Sequence, residues 1–390
     1  MASGLRVLAV AGEVSGDHQG GRLAAALRRL RPDLAVLGVG GAEMAAAGVD
    51  VLVDSTRWGV IGYVETYIRL PIYAARYWTL IRLIERLRPD LLLLIDFPGM
   101  NRELVRHFSG RIPMVYFFPP HTYGRRGRSA ARMARAAVRL LAVLPFEAEA
   151  YRRAGADVVF VGHPAVDAAA AVATSRGTLR EEWGVDRGPL IGLLPGSRGQ
   201  EVRTLLPPML EAAGALRTAY GARFALPLAA PHLRRDVESA VARSGVQVRV
   251  LTGRALDVMA AADVIIVASG TAPVEAACIG VPMVVIYRLS RLTEWIIRRF
   301  VAPPDVGREG LSIPSIILGR PIVPELIQDD VTGERIRAEV ERFLVDAAAR
   351  DRVRADLAEV RRRLGPPGVL DRAAAEALRV LDSRAAGTLR

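Results

Sequence analysis

Short apolar runs alternate with helical stretches from one end of the chain to the other. This predicts an α/β protein with parallel sheets. Two further observations divide it into two domains. The chain has 390 residues, more than a single core usually serves. It also carries two glycine-containing strand-to-helix turns, roughly one per half. The first is Val10-Ala-Gly-Glu-Val-Ser-Gly-Asp17, after the run Leu5–Ala11, and the second is Leu193-Leu-Pro-Gly-Ser-Arg-Gly-Gln-Glu201, after Pro189–Leu194. A turn of this kind directs backbone N–H groups and a helix N-terminus at an anionic ligand.

In chain order, the first half predicts strands at Leu5–Ala11, Ala35–Val39, Val49–Val53, Asp90–Ile95, Ile112–Phe118, Arg139–Val143 and Val158–Val161. Each is a short apolar run bounded by turn-forming or charged residues. Helical patterns separate several of them, at Gly20–Leu30, Leu70–Leu87, Asn101–Phe108, Ser129–Ala137 and Phe146–Arg153. The alanine-rich stretch Val166–Thr178, after the turn Gly162-His-Pro164, marks a domain boundary. Beyond it, strands are predicted at Leu190–Leu194, Arg223–Pro227, Val246–Leu251, Val264–Ala268 and Met283–Tyr287, with helices at Glu201–Thr218, Pro231–Ser244, Ala255–Ala261 and Val274–Ile279. From Glu334 the chain reads as charged amphipathic helix, broken at Gly365-Pro-Pro-Gly368. The expected organisation is therefore 1–165, 166–365 and a helical tail 366–390. Two Rossmann-like domains facing a cleft would bind ligands at the carboxyl ends of their strands.

Hydrophobic residues make up 51% and charged residues 24% of the chain, as in a folded globular protein. The net charge is +12, and all 53 basic residues are arginine. A GC-rich genome accounts for that bias as readily as an anionic partner does, although clusters at Arg125–Arg135 and Arg288–Arg299 favour a localised surface. These clusters lack interleaved aromatics, so no nucleic-acid partner is expected. Cys278 is the lone cysteine, which excludes an internal disulfide framework and suits a reducing compartment. The opening residues lack a secretory h-region, and no apolar run is long enough to span a bilayer, so a soluble protein is expected.

The segment Ala268-Ser-Gly-Thr-Ala-Pro-Val-Glu275 follows a strand and opens a helix. Ser269, Gly270 and Thr271 would offer donors to a diphosphate, and Glu275 would accept from ribose hydroxyls; a capped helix start is the competing reading. Arg198 supplies a cation where leaving-group charge builds up. Asp96 closes the run Leu91-Leu-Leu-Leu-Ile95, a position that suits a general base, an N-cap or a buried hydrogen-bonded carboxylate. His163 is a candidate nucleotide contact or a packing histidine. The histidines are scattered without metal-ligand spacing, so no metal is expected. There is no G-x-G-x-x-G with a following acidic residue and no G-x-S-x-G, so neither a dinucleotide cofactor nor that hydrolase class is expected.

Taken together, Ala11-Gly-Glu-Val-Ser-Gly-Asp17, Ile95-Asp-Phe-Pro98 with Asn101, Leu144-Pro-Phe-Glu147, Gly162-His-Pro164, Leu194-Pro-Gly-Ser-Arg198 with Glu201-Val202, and Ala268-Ser-Gly-Thr-Ala272 with Glu275 resemble lipid-A-disaccharide synthases. Pro282-Met-Val-Val285, Tyr287-Arg288, Thr293, Trp295 and Arg299 continue the resemblance. These are inverting glycosyltransferases of the GT-B type. The resemblance implies two Rossmann-like domains facing a cleft, with the acceptor in the first and the UDP part in the second. It implies transfer of 2,3-diacylglucosamine from UDP to 2,3-diacylglucosamine 1-phosphate in β-1,6 linkage, without metal or cofactor. Asp96 would be the general base and Arg198 the neutraliser of the diphosphate. Gly12, Glu13, Ser15, Gly16, Asp17, Asn101, His163, Gly196, Ser197, Glu201, Ser269, Gly270, Thr271, Glu275 and Arg288 would contact substrate. Acylated substrates imply peripheral contact with the cytoplasmic face of the inner membrane, through Trp58–Trp78 and the basic clusters.

The chain departs from the family at Phe118-Pro-Pro-His-Thr-Tyr-Gly124, which lacks paired tryptophans, at Gly99-Met-Asn101, which lacks a second carboxylate, and at Ser315, where asparagine is usual. The resemblance places all three on the acceptor or sugar side rather than the UDP side. UDP-sugar enzymes with another acceptor, and UDP-sugar epimerases, stay open as alternatives.

Overall fold

The computed structural model describes residues 5–56, 58, 70–120, 128–136, 138–185, 187–288 and 310–385. The chain forms two compact units, one of Met1–Pro164 together with Pro366–Arg390 and one of Ala165–Gly365.

In the first unit, strands β1 (Arg6–Ala11), β2 (Ala35–Gly40), β3 (Asp50–Asp54), β4 (Leu91–Ile95), β5 (Met114–Phe117), β6 (Arg139–Ala142) and β7 (Val158–Phe160) form one sheet. Its order is β3-β2-β1-β4-β5-β6-β7, and every pairing is parallel. All of β4 is buried, which is why its sequence is continuously apolar rather than alternating. The helices of this unit are α1 (Glu13–Leu30), α2 (Ala42–Ala46), α3 (Leu70–Leu87), α4 (Pro98–Phe108), α5 (Arg128–Ala134) and α6 (Pro145–Arg153). Leu80, Ile84, Met100, Leu104 and Phe108 on α3 and α4 pack against Leu8, Val10, Leu92 and Leu94 of the sheet. Helix α1 approaches α2 closely because Gly21 has no side chain; a Cβ there would lie 2.6 Å from the Glu43 carbonyl oxygen.

The second unit runs α7 (Ala165–Ala170), α8 (Arg176–Glu182), β8 (Leu190–Leu194), α9 (Gly199–Tyr220), β9 (Arg223–Leu228), α10 (Arg234–Ser244), β10 (Arg249–Thr252), α11 (Ala255–Ala261), β11 (Val264–Ala268), α12 (Ala272–Ile279), β12 (Met283–Tyr287), α13 (Ile313–Leu318), β13 (Glu325–Ile327), α14 (Gly333–Val345) and α15 (Ala347–Arg363). Its sheet has the order β10-β9-β8-β11-β12-β13, again parallel throughout. Helices α9 and α10 both stop at glycines in the left-handed region, Gly221 (φ 62°) and Gly245 (φ 66°).

A last helix, α16 (Val369–Ala385), belongs to the first unit. It packs on α1, burying Ala373, Ala374, Ala377 and Leu381. Arg31 grips Asp382 with two 2.7 Å bonds, and Arg29 meets Asp371 at 2.5 Å.

In each sheet the strand order reverses direction once, between β1 and β4 and between β8 and β11. Those strand pairs are in register to their carboxyl ends, with Ala11 opposite Ile95 and Leu194 opposite Val267. Loops leaving such a reversal splay apart and open a crevice at that edge of the sheet.

Candidate functional site

In the first unit, the reversal brings the Gly12 turn beside the Asp96 turn. Gly12 is extended (φ −124°) and has no room for a side chain, since a Cβ would lie 2.4 Å from Cγ of the Phe97 ring. Glu13 follows in the left-handed region (φ 62°), its N–H donating to the Ser55 carbonyl at 3.4 Å. Buried Ser55 fastens the same turn by donating its hydroxyl to the Ala11 carbonyl at 2.6 Å. Ser15 is exposed on the first turn of α1, and Gly16 is buried behind it. Asp17 has a scaffold position. It is 3% exposed, and its carboxylate accepts the N–H groups of Gly41, Glu43 and Met44 at 2.7, 3.0 and 3.1 Å. It therefore caps α2.

Asp96 lies half-buried at the carboxyl end of β4. Asp96 (φ 48°) and Phe97 (φ 52°) are consecutive non-glycine residues in the left-handed region, each held there at a cost on the order of 1–3 kcal/mol. The Asp96 N–H donates to the Phe117 carbonyl at 2.9 Å. Its own carbonyl accepts from Asn101 Nδ2 at 2.8 Å and Tyr116 Oη at 2.9 Å. Asn101 is fully buried and also reaches the Val10 and Ile95 carbonyls at 3.3 Å, so its amide sews β1 to β4. His163 follows Gly162 (φ 89°) after β7 and is 3% exposed, edge-on to the Phe118 ring at 5.6 Å.

In the second unit, the reversal brings the Arg198 and Glu275 loops to the same edge of the sheet. Gly196 (φ 104°) makes the β8 turn, and a Cβ there would lie 2.2 Å from Glu201 Oε2. That oxygen accepts the N–H groups of Ser197 and Arg198 at 3.1 and 3.2 Å, and Oε1 accepts from Arg198 Nη1 at 3.1 Å. Glu201 thus closes the turn on itself, and these two amides are satisfied within it. Arg198 keeps 45% of its side chain exposed, against 22% for Glu201. Burial pushes the Tyr287 phenol upward, with Glu201 raising and Arg198 lowering it; the end of β12 therefore lies in the field of that ion pair.

On the adjacent loop, the Ser269 N–H is tied to the Ile286 carbonyl at 3.0 Å. Gly270 takes φ 156° with open space where a Cβ would stand, and Thr271 is exposed. Pro273 and Glu275 both lie in the first turn of α12, and Glu275 is half-buried. Arg288 donates to the Gln328 and Val331 carbonyls at 3.2 and 2.8 Å, so much of its guanidinium holds backbone. Ser315 is fully buried; its hydroxyl donates to Glu325 at 2.8 Å, and Glu325 also accepts the Leu311 and Ser312 N–H groups.

A cavity of about 510 Å³ lies elsewhere, at the amino end of the second sheet, among Arg176, Arg180, Asp263 and Arg350. Among the described residues, no group of three or more His, Cys, Asp or Glu is arranged to hold a metal. Several expectations lie outside the described residues: most of Trp58–Trp78, the end of the Phe118–Gly124 loop, Arg125, Arg126, Thr293, Trp295 and Arg299.

A family model described as lipid-A-disaccharide synthetase matches residues 7–366. The lipid-A-disaccharide synthase of Geobacter metallireducens is 40% identical over 383 residues, covering 97% of this chain and 98% of the relative. That of Geobacter sulfurreducens is 39% identical over 379 residues, covering 96% and 97%. Among solved structures, the UDP-GlcNAc 2-epimerase of Neisseria meningitidis bound to UDP-GlcNAc aligns with a TM-score of 0.63 at 12% identity, covering 97% of this chain and 100% of that one. At that identity the likeness concerns the fold alone, two α/β domains with parallel sheets.

Proposed function

The chain belongs to the lipid-A-disaccharide synthetase family, and from that premise we propose that it transfers 2,3-diacylglucosamine from UDP to the 6-hydroxyl of 2,3-diacylglucosamine 1-phosphate. The bond formed joins the acceptor oxygen to the donor's anomeric carbon, with inversion. The bond broken joins that carbon to the UDP oxygen, and UDP leaves with the electron pair. The observation that carries the reading is the shared edge of β8 and β11, from which both the Arg198 and the Glu275 loops depart. A cation beside a helix start suits a diphosphate, and a carboxylate in the first turn suits the ribose.

In this reading Asp96 takes the proton of the acceptor hydroxyl, a contribution of about 10²–10⁴ in rate. Arg198 meets the charge that develops on the departing diphosphate. The Ser197 and Arg198 amides already serve Glu201, so the diphosphate relies on the Arg198 guanidinium and on Gly270 and Thr271. Gly12, Glu13 and Ser15 line the acceptor side with Gly16 packed behind them, and Asn101 and His163 support the loops. No metal or cofactor takes part.

We assign a peripheral contact with the cytoplasmic face of the inner membrane to α3, where Ile72 and Trp78 are 52% and 54% exposed. No helix among the described residues is long and apolar enough to cross a membrane.

The test is direct. Purified protein incubated with both acylated sugars yields the disaccharide by mass spectrometry, and UDP is released only when both are present. UDP release without the acceptor, or no disaccharide at all, refutes the reading.

A further inference from the structure

We propose that Tyr116 is a positioning residue for the transfer: its phenol and the Asn101 amide together clamp the Asp96 carbonyl and hold the Asp96 carboxylate at the edge of β4. The inference rests on the reading of Asp96 as the base. Tyr116 lies on β5, where Leu94 of β4 is its register partner, and its side chain is fully buried. A tyrosine among Met114, Val115 and Phe117 in a buried strand needs a partner for its hydroxyl, and that partner is the Asp96 carbonyl at 2.9 Å.

The clamp is needed because the turn does not hold itself. Asp96 and Phe97 both sit at positive φ without being glycine, a conformation that persists only when the surroundings enforce it. Every backbone polar group of Asp96 is accordingly engaged. Its N–H goes to Phe117, and its carbonyl takes donors from β5 and from α4. Burial, with Asp96 adding to it, raises the Tyr116 phenol well above its ordinary value, so the hydroxyl stays a donor at every working pH. The Tyr116→Phe substitution removes one oxygen, leaves the ring in the core and leaves Asn101 in place.

Turnover, substrate KM, UDP affinity and melting are measured for Tyr116→Phe, Asn101→Ser, Asp96→Asn and the two pairings with Asp96→Asn. Displacing a catalytic group by about 1 Å costs up to roughly 100-fold. Tyr116→Phe is therefore expected to lose about 10- to 100-fold in kcat, with UDP affinity unchanged within about twofold. Added to Asp96→Asn, it should change the residual rate by less than about twofold, because it acts through that side chain. Wild-type kcat in Tyr116→Phe, or its full loss repeated on top of Asp96→Asn, overturns the positioning role while leaving the base assignment intact. Wild-type turnover in Asp96→Asn overturns both. If Tyr116→Phe melts too low to assay, Asn101→Ser carries the same comparison.

Discussion

Replacing Gly12 by alanine places a methyl group 2.4 Å from Cγ and 2.5 Å from both Cδ atoms of the Phe97 ring. Carbon atoms prefer about 3.5–4.0 Å, so the ring must withdraw by about 1 Å or the turn must move. The backbone of Gly12 (φ −124°) suits any residue, which makes the penalty purely steric. Overpacking of this kind costs about 1–3 kcal/mol, and each kcal/mol lowers melting by roughly 2–4 °C in a unit of this size. Phe97 is 7% exposed and adjoins Asp96, so the displaced ring carries the candidate base with it. Gly16→Ala is the matched control. Its Cβ meets Ala11 Cβ at 3.5 Å, an ordinary contact, and alanine inside a helix gains about 0.5–1 kcal/mol over glycine. Melting curves and UDP release should show Gly12→Ala losing both stability and turnover, and Gly16→Ala keeping or improving its stability. Trimming the ring with Phe97→Leu should restore part of the melting temperature of Gly12→Ala. Wild-type melting and turnover in Gly12→Ala, or the greater loss in Gly16→Ala, refutes the packing argument.

Arg198→Ala should reduce kcat by about 10²–10³ while the melting temperature stays near wild type, since the side chain is half-exposed; equal turnover removes its assigned role. Asp263 links acid sensitivity to the second unit. Burial pushes its carboxyl up, but the Leu190 amide with Arg176 and Arg180 outweighs this and holds it below 3.8. Its stabilising contribution is therefore complete above the unfolded value and fades as pH falls through the lower folded value. Melting at pH 3 relative to pH 6 should fall less in Asp263→Asn than in wild type, and an equal fall refutes the linkage. The Cys278 thiol is pushed up to about 12, first by burial. Iodoacetamide at pH 8 should leave it unmodified in the native protein and label it after denaturation, and rapid native labelling would contradict the burial.

The sequence made the sheet strands legible because buried parallel strands are continuous apolar runs. Asp90–Ile95 and Val264–Ala268 read as strands for that reason, and all five residues of each observed strand, Leu91–Ile95 and Val264–Ala268, are buried. The start of α1 at Glu13 was harder to see, because Gly16, Gly20 and Gly21 interrupt the helical pattern where α2 and the sheet press close. Short elements such as α2 and β13 carry too few residues for any periodicity to emerge. The sequence pointed to Asp96, Arg198 and Glu275 through their places after apolar runs. It did not separate them from Asp17, Glu201 and Arg288, whose groups hold backbone. A carboxylate that caps a helix and one that meets a ligand look alike until the donors around them are placed. Tyr116 and Ser55 passed unnoticed because each looks like an ordinary member of its segment, and only the carbonyl it reaches reveals its role.

The return of α16 to the first unit bears on how the protein is made. Because Pro366–Arg390 closes that unit, everything from Ala165 to Gly365 is an insertion within it. Until α16 is added, α1 lacks the helix that packs on it and that buries Ala373, Ala374, Ala377 and Leu381. The first unit is thus built from two stretches far apart in the chain. A stop codon just after Gly365 would spare the inserted unit and leave the older one with an exposed seam.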